Sequence, residues 1–126
     1  MAIDPLGHLR IAVSDFARSR AFYTKLFSKL GFAQVSEKGW ATPQGFGIWI
    51  IQAEHPEHRY MFEAPGLHHL CFKAATSEKI DELHLFLTEQ QIPVVSPPKR
   101  YPQYTPEYYA VFFTDPDGIE LEIAYY

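Results

Sequence analysis

Three segments of the chain carry histidine or glutamate side chains of the kinds that bind transition metals. His8 opens the first segment, His69 opens a second with the same two initial letters, and Glu120 and Glu122 lie in a third near the last residue. Two imidazoles and one carboxylate form a ligand set that suits Fe(II), Mn(II), Zn(II), Ni(II) or Co(II) and leaves positions open for substrate oxygens. A metal held in this way would act as a Lewis acid and stabilise charge that develops on those oxygens.

The three segments alternate between apolar and polar residues, which predicts strands with one apolar face each. Because successive side chains of a strand point to opposite faces, the polar residues of each segment share the second face. That face is predicted to carry His8, Arg10 and Ala12 in the first strand, His69, Cys71 and Lys73 in the second, and Glu120, Glu122 and Ala124 in the last. His68 shares the apolar side with Leu70 and Phe72, so His69 is the better ligand of the two adjacent histidines. The polar groups converge if their face is the concave side of a curved sheet.

The elements around these strands repeat the order β-α-β-β-β, and an internal duplication is therefore predicted. In the first half, Ser14 or Asp15 is the expected helix N-cap, Gly31 ends the helix, and strands follow over 32–35, 39–42 and 46–52. In the second half, Thr76 or Ser77 caps a helix that ends at 91–93, and strands begin at Val94 and cover 109–114 and 119–125. We predict an α+β fold of two βαβββ modules, at about 6–53 and 67–126, within a single domain of residues 1–126.

The composition limits the classes of binding partner and the cellular compartment that we expect for this protein. The chain has 126 residues, 47% of them hydrophobic, and a formal charge of −4 with no concentrated basic patch, which argues against nucleic acid or an anionic membrane as the main partner. No apolar run is long enough for a membrane span, and the segment Met1–Pro5 does not resemble an export signal. The single cysteine, Cys71, excludes an intramolecular disulfide. We therefore expect a cytoplasmic protein.

The chain resembles the vicinal-oxygen-chelate superfamily, which includes glyoxalases, bleomycin- and fosfomycin-resistance proteins and extradiol dioxygenases. The resemblance covers essentially the whole chain and is most specific at the Asp-Pro-Asp-Gly turn before the last strand. The matching residues are His8–Val13, Phe22–Tyr23, Leu30–Phe32, Gly66–Phe72 and Phe113–Glu122. It implies metal ligands at His8, His69 and Glu122, a cup or partial barrel of curved mixed sheet with the helices outside, and a homodimer in which ligands from two chains can meet.

One position departs from the glyoxalase pattern. Those members commonly carry a fourth ligand, a glutamate on the last strand of the first module, and the alignment of the two halves places Ile51 there. The resemblance therefore argues against lactoylglutathione chemistry and favours the three-ligand pattern. The chain is too short for the usual two-domain extradiol enzymes, and Lys99 and Arg100 lie in a segment that matches the fosfomycin-type phosphonate loop poorly.

A proline- and tyrosine-rich segment, residues 97–109, has two open interpretations. It is either a stiff surface loop that covers a sheet edge or a dimer seam, or a lid that supplies phenol groups to a substrate. Arg10 and Lys73 are likewise either anchors for a substrate anion or rim charges. The candidate pocket residues are Arg10, Trp49, Ile51, Lys73, Arg100, Tyr101, Tyr104 and Tyr109. Their aromatic character favours an apolar or aromatic small molecule as the ligand.

These observations lead to one main functional hypothesis and two alternatives. The main hypothesis is an enzyme with one divalent metal ion and a small substrate that chelates it through neighbouring oxygens, of the lyase or isomerase, thiol-transferase or dioxygenase type. No general base is identified, because Glu122 would be occupied by the metal. The alternatives are a non-catalytic protein that sequesters a drug or aromatic ligand, and a structural dimer suggested by the aromatic terminus Tyr125–Tyr126.

Overall fold

The computed structural model describes residues 1–3 and 6–126, so Asp4 and Pro5 of the N-terminal segment lie outside the described residues. The chain divides into two compact units, residues 1–59 and 60–126. Each unit holds one βαβββ module, which confirms the predicted α+β fold and its duplication.

The first unit contains a four-stranded mixed sheet and one helix. Its elements are β1 (His8–Val13), α1 (Phe16–Leu30), β2 (Ala33–Ser36), β3 (Gly39–Ala41) and β4 (Gly47–Gln52). The strand order is β1-β4-β3-β2, with β1 parallel to β4 and the other pairs antiparallel. Asp15 caps α1 by accepting a hydrogen bond from the Arg18 backbone N–H at 3.1 Å, and Gly31 ends it in the left-handed region at φ 83°.

The second unit repeats this arrangement. Its elements are β5 (Leu70–Lys73), α2 (Ser77–Glu89), β6 (Val94–Arg100), β7 (Tyr109–Thr114) and β8 (Glu120–Tyr125). The order β5-β8-β7-β6, with β5 parallel to β8, is the order of the first sheet transposed to the second half of the chain. Thr76 is the N-cap of α2, without a side-chain capping bond.

In each unit the helix covers one face of the sheet. Helix α1 buries Tyr23, Leu26 and Phe27, and the Phe27 ring lies 5.2 Å from that of Trp40 on β3. Helix α2 buries Ile80, Leu83 and Leu87 and packs against β6, β7 and β8. Burial of these apolar faces stabilises each module and leaves the second face of each sheet for other side chains. Neither of the two helices has the length and apolarity needed to cross a membrane, and this holds for all residues that the structure describes.

The segment 97–109 differs from the predicted loop because its first part is a strand. Pro97 and Pro98 lie within β6, which is the edge strand of its sheet. Proline cannot donate to a strand ladder, and an edge strand tolerates this. The pairing of β6 with β7 shifts register between Val94 and Ser96 and again between Ser96 and Lys99, so the prolines occupy an irregular part of the ladder.

The Asp-Pro-Asp-Gly segment forms the predicted turn into β8. The Asp115 side chain accepts hydrogen bonds from the backbone N–H groups of Asp117 at 2.9 Å and Ile119 at 2.8 Å, and Gly118 has φ 82°. Asp115 is itself buried. This turn therefore fixes the residue at which β8 begins, and with it the face on which each β8 side chain lies.

Candidate functional site

Glu122 is a carboxylate in the middle of a strand that is buried on both faces. Leu121 and Ile123 are buried on the side of α2, and Glu122 and Ala124 are buried on the other side, with Glu122 only 2% exposed. Removing a carboxylate from water is costly unless other groups bind it. The surroundings of Glu122 therefore show what the second face of this sheet is built to hold.

Two side chains approach the two carboxylate oxygens of Glu122. The Tyr108 hydroxyl donates a hydrogen bond to Oε1 at 2.5 Å. The Nε2 atom of His69 lies 3.5 Å from Oε2, with the His69 side chain 34% exposed. One oxygen is thus bound within the fold, while the other faces an imidazole nitrogen at a distance longer than an ordinary N–H···O bond.

The His69 ring is held from its other side. Its Nδ1 lies 2.7 Å from Nδ1 of His68, and its ring contacts Phe112 edge-on at 6.1 Å. The His68 ring packs on Phe62 at 4.6 Å. The Tyr60 hydroxyl lies 3.0 Å from the backbone oxygen of Leu67 and 2.9 Å from that of His68, and anchors the approach to β5. These contacts aim Nε2 of His69 at Glu122, as a partner on the second ring nitrogen does for a metal-binding histidine.

Cys71 lies beside Glu122 on the neighbouring strand, because the two residues are partners in the β5–β8 pairing. Burial, followed by the nearby Glu122 charge, raises the pKa of the Cys71 thiol to about 12. Burial and the hydrogen bond to Glu122 also raise the pKa of the Tyr108 phenol above its usual range. Both groups are therefore protonated at neutral pH, and Cys71 is not an activated nucleophile.

A cluster of aromatic rings covers the rest of this face. Tyr101 packs on the small residues Ala110 and Ala124 and stacks on Tyr104 at 5.7 Å. The Tyr108 ring stacks on Tyr126 at 5.0 Å with an interplanar angle of 7°. Two cations lie over the outer rings, Lys73 at 4.3 Å from the Tyr126 centroid and Lys99 at 5.0 Å from that of Tyr101. Lys73, Tyr101 and Tyr104, three of the predicted pocket residues, thus belong to the surroundings of Glu122.

Two other predicted pocket residues lie on the opposite face of the same sheet. The Tyr109 hydroxyl donates to Asp81 of α2 at 2.6 Å, and the Arg100 guanidinium lies 5.6 Å from the Tyr109 ring centroid. The hydrogen bond to Asp81 raises the pKa of Tyr109, and Arg100 opposes that shift. The structure therefore does not bring Arg100 and Tyr109 together with Glu122, because strand parity turns Tyr109 toward the helix.

The second face of the sheet in the first unit carries different side chains from that of the second unit. His8, Arg10 and Trp49 line an open cavity of about 320 Å³. Arg10 and Trp49 are partners in the β1–β4 pairing, and His8 is the partner of Gly47. Ile51 lies half-buried on the same face, opposite Ala12.

Two glycines position the Trp49 indole. A β-carbon placed on Gly39 would lie 2.5 Å from Cε3 of Trp49, and one placed on Gly47 would lie 3.0 Å from its Nε1. Both glycines face Trp49 because Gly39 is its partner in the β3–β4 pairing and Gly47 is two residues earlier on β4. The ring is therefore laid directly on the backbone of its own sheet.

The sheet registers identify which residue of the first unit corresponds to Glu122. When His8 is equated with His69, Arg10 corresponds to Cys71, and their partners are Trp49 and Glu122. The turn glycines agree, since Gly45 at φ 88° and Gly118 at φ 82° each lie four residues before these partners. Trp49, and not Ile51 as the ungapped alignment predicted, stands at the position of Glu122. Neither residue offers a metal-binding carboxylate.

The pair His69 and Glu122 fits the binding of a divalent metal. Two ligand atoms each about 2.1 Å from one ion lie roughly 3.0 Å apart in octahedral geometry and roughly 3.4 Å apart in tetrahedral geometry. The observed separation of 3.5 Å between His69 Nε2 and Glu122 Oε2 is close to the second value. Within residues 1–3 and 6–126, no group of three or more His, Cys, Asp and Glu side chains is placed to hold a metal ion. The binding of a metal by His69 and Glu122, with His8 as the third ligand, stays a prediction.

Sequence reasoning did not identify Tyr108 as a site residue. Tyr108 lies in the loop before β7, where strand parity cannot be read until the strand boundary is known. Once β7 is seen to begin at Tyr109, parity places Tyr108, Ala110 and Phe112 together on the face of Glu122. The sequence alone could therefore identify Tyr108 as a site residue only if the first residue of β7 were known.

Comparison with known proteins gives a consistent result. Residues 5–123 match the model of the Glyoxalase/Bleomycin resistance protein/Dioxygenase superfamily. The chain is 31% identical to the uncharacterized protein YwkD of Bacillus subtilis (strain 168) over 98% of each chain. It is also 31% identical to the virulence protein STM3117 of Salmonella typhimurium, over 100% of this chain and 87% of that protein. A solved glyoxalase homologue from Bacillus halodurans is 30% identical, with a TM-score of 0.77 over 97% of this chain and 96% of that one.

Proposed function

Since the chain belongs to the Glyoxalase/Bleomycin resistance protein/Dioxygenase superfamily, we propose that it is a divalent-metal-dependent enzyme. Its substrate is a small molecule that binds the metal through two neighbouring oxygens. The metal ligands are His69 and Glu122 of the second module together with His8 of a first module. The protein acts as a cytoplasmic homodimer.

The observation that carries this proposal is the environment of Glu122. A carboxylate that is 2% exposed has one oxygen bound by Tyr108 and the other facing His69 Nε2 at 3.5 Å. If His69 carries its proton on Nδ1, toward His68, two electron pairs face each other across this gap. A cation between them would relieve that opposition, and a divalent metal is the cation that an imidazole and a carboxylate bind best.

The protein side chains have separate roles in this proposal. The metal, when bound, supplies Lewis-acid stabilisation of charge on the substrate oxygens. His68 orients the His69 ring, and Tyr108 holds the Glu122 carboxylate so that one oxygen is free to bind the metal. The tyrosine cluster excludes water from the buried side of the carboxylate, which strengthens electrostatic interactions there.

The glutathione-dependent isomerisation of glyoxalases is not part of the proposal. That reaction uses a fourth, carboxylate ligand in the first module, and the corresponding position here is Trp49. An indole that rests on Gly39 cannot bind the metal or move a substrate proton. The candidate reactions are those that need three protein ligands and open metal positions.

The first test is metal content after anaerobic purification, measured by elemental analysis. Wild-type protein is expected to carry about one Fe, Mn, Zn, Ni or Co per chain and to gain thermal stability from the same ion, because a ligand of the folded state alone stabilises it. H69A and E122Q are expected to lose both properties. The matched control is E120Q, a half-buried glutamate two residues earlier on the same strand. A wild-type protein without metal, whose melting temperature ignores all five ions, would refute the proposal.

A separate experiment tests which subunit of the dimer supplies His8 to each metal site. If the site combines His8 of one subunit with His69 and Glu122 of the other, H8A and H69A homodimers each lack every complete site, whereas the mixed dimer has one. Co-purified H8A/H69A dimers should then bind about half the wild-type metal. If each site is built within one chain, the mixed dimer binds none.

A second candidate function is the sequestration of an aromatic ligand without catalysis. The cavity lined by His8, Arg10 and Trp49 favours it, because an indole beside a cation binds planar molecules without any metal. Metal dependence distinguishes the two functions. Ligand binding that is unchanged by EDTA and by H69A would support sequestration.

A further inference from the structure

The second face of the first sheet carries one large aromatic ring, the Trp49 indole, beside one positively charged side chain, that of Arg10. The four strands of this sheet contain no aspartate or glutamate, and Arg10 is their one lysine or arginine. Arg10 is exposed and forms no ion pair with any residue that the structure describes. The cavity that Arg10 lines with His8 and Trp49 therefore has a positive lining, and none of the lining residues is an acid.

The Trp49 indole is fixed in a way that a packing residue does not require. Its six-membered ring lies so close to Gly39 that a β-carbon there would approach Cε3 and Cζ3 to 2.5 and 2.6 Å. The indole is half-buried and lines the cavity, so part of its surface is offered to a ligand. A rigid, partly exposed aromatic surface binds planar rings at a low cost in conformational entropy.

Arg10 and Trp49 are side by side on adjacent strands, since they are partners in the β1–β4 pairing. Neighbouring strands are about 4.8 Å apart. An anionic group attached to a ring that lies on the indole, or close to that ring, is therefore within reach of the Arg10 guanidinium. A guanidinium binds a carboxylate through two parallel hydrogen bonds, which makes it selective for a planar anion.

We propose that the cavity formed by His8, Arg10 and Trp49 binds aromatic carboxylates of about the size of benzoate, with Arg10 on the carboxylate and the Trp49 indole against the ring. This deepens the proposed function, because it names aromatic acids as the substrate class. Arg10 is the residue that selects the charge, and Trp49 with Gly39 selects the planar shape.

Isothermal titration calorimetry on the full-length protein, freed of metal with EDTA, tests the proposal. The probes are benzoate, 2-hydroxybenzoate, the neutral isostere benzamide, and acetate as an anion without a ring. Benzoate and 2-hydroxybenzoate are expected to bind at least about tenfold more tightly than benzamide and acetate, as expected for loss of a charge-assisted hydrogen bond. R10Q should reduce benzoate affinity to that of benzamide, and W49L should weaken both ring-bearing ligands together.

The matched control is R18Q, which removes an arginine from α1 of the same unit and should leave all four affinities unchanged. G39A is a second variant that keeps Arg10 and Trp49 but displaces the indole, and it should weaken benzoate more than acetate. Equal affinities for benzoate and benzamide in wild type, or unchanged benzoate binding by R10Q, would overturn the proposal.

The metal-free design separates this inference from the proposed function. Arg10-dependent benzoate binding by a protein that never binds metal would uphold the aromatic-acid site and refute the metal enzyme. Stoichiometric metal binding without carboxylate selectivity would do the reverse.

Discussion

The two sheets share their strand order and differ in what their second faces carry. In the first unit this face is open and bears His8, Arg10 and the Trp49 indole. In the second unit it bears a buried glutamate and is covered by tyrosines. The same βαβββ framework therefore supports a cationic, ligand-accessible surface in one copy and an anionic, desolvated one in the other. Side-chain exchange at a few equivalent positions is enough to separate the two roles.

The largest expected difference concerns Arg10 and Cys71, which occupy equivalent positions in β1 and β5. With a pKa raised to about 12, the Cys71 thiol is roughly 0.01% ionised at pH 8, against about a quarter for a free cysteine of pKa about 8.5. Iodoacetamide should therefore modify native Cys71 about a thousandfold more slowly than an unhindered thiol, as followed by intact mass. Protein unfolded in urea is the control and should react at the ordinary rate. Native and unfolded rates within tenfold of each other would mean that burial and the Glu122 charge do not raise the pKa of Cys71.

The next largest effect is expected from Glu122→Ala in metal-free protein. The substitution removes a buried side chain and leaves the Tyr108 hydroxyl without its acceptor, and we expect a loss of about 3 kcal/mol in the free energy of unfolding. Urea denaturation measures it. Glu120→Ala, on the same strand, should change stability by less than about 0.5 kcal/mol. Equal effects at the two glutamates would show that the position of Glu122 is no more specialised than a half-buried position on the same strand.

A smaller loss is expected from Gly39→Ala in the first unit. The added methyl group meets the Trp49 ring at 2.5 Å, and the displacement should cost about 2 kcal/mol, as overpacking does. In a Trp49→Ala background the same change should cost little, so a double-mutant cycle isolates the contact. Gly7→Ala is the control, because nothing lies within 4 Å of a β-carbon there. An additive cycle would remove the argument that Gly39 positions the indole.

The smallest expected effect lies in the alkaline pH range. The folded-state pKa values of Tyr108 and Tyr109 are both raised, by burial and Glu122 in one case and first by the hydrogen bond to Asp81 in the other. Each contribution to stability is complete below the unfolded tyrosine pKa of about 10 and declines as pH rises above it. Melting temperatures from pH 8 to 11 should therefore fall less steeply for Tyr108→Phe and Tyr109→Phe than for wild type. Tyr104→Phe, which removes a hydroxyl from an exposed ring, is the control variant.

Much of this architecture could be predicted from alternation and turn residues. The period of two in the segments after His8 and His69 gave the right strands, and parity put His69 and Glu122 on one face, in agreement with their 3.5 Å separation. Their role as metal ligands, and that of His8, stays a prediction.

The errors arose where local pattern does not determine the register. The alignment that assigned Ile51 to the position of Glu122 was two residues off, because it matched Gly47 and not Gly45 with Gly118, and only the strand pairing and the positive φ angles identify the correct glycine. Pro97 and Pro98 looked like loop residues because sequence alone does not reveal which strand is at the edge. Tyr108 and Tyr109 are adjacent in sequence, but the first binds Glu122 and the second binds Asp81 on the opposite face. Which tyrosine lies on which face depends on where β7 starts.

The prolines of β6 have a consequence for self-association. Successive N–H groups of a strand point to opposite sides, so one of the two consecutive prolines, Pro97 or Pro98, removes a donor from the open edge of β6. Pairing of this edge with a strand of another copy, the route by which exposed edges lead to aggregation, is therefore disfavoured. Replacing both prolines would therefore be expected to make the protein less soluble.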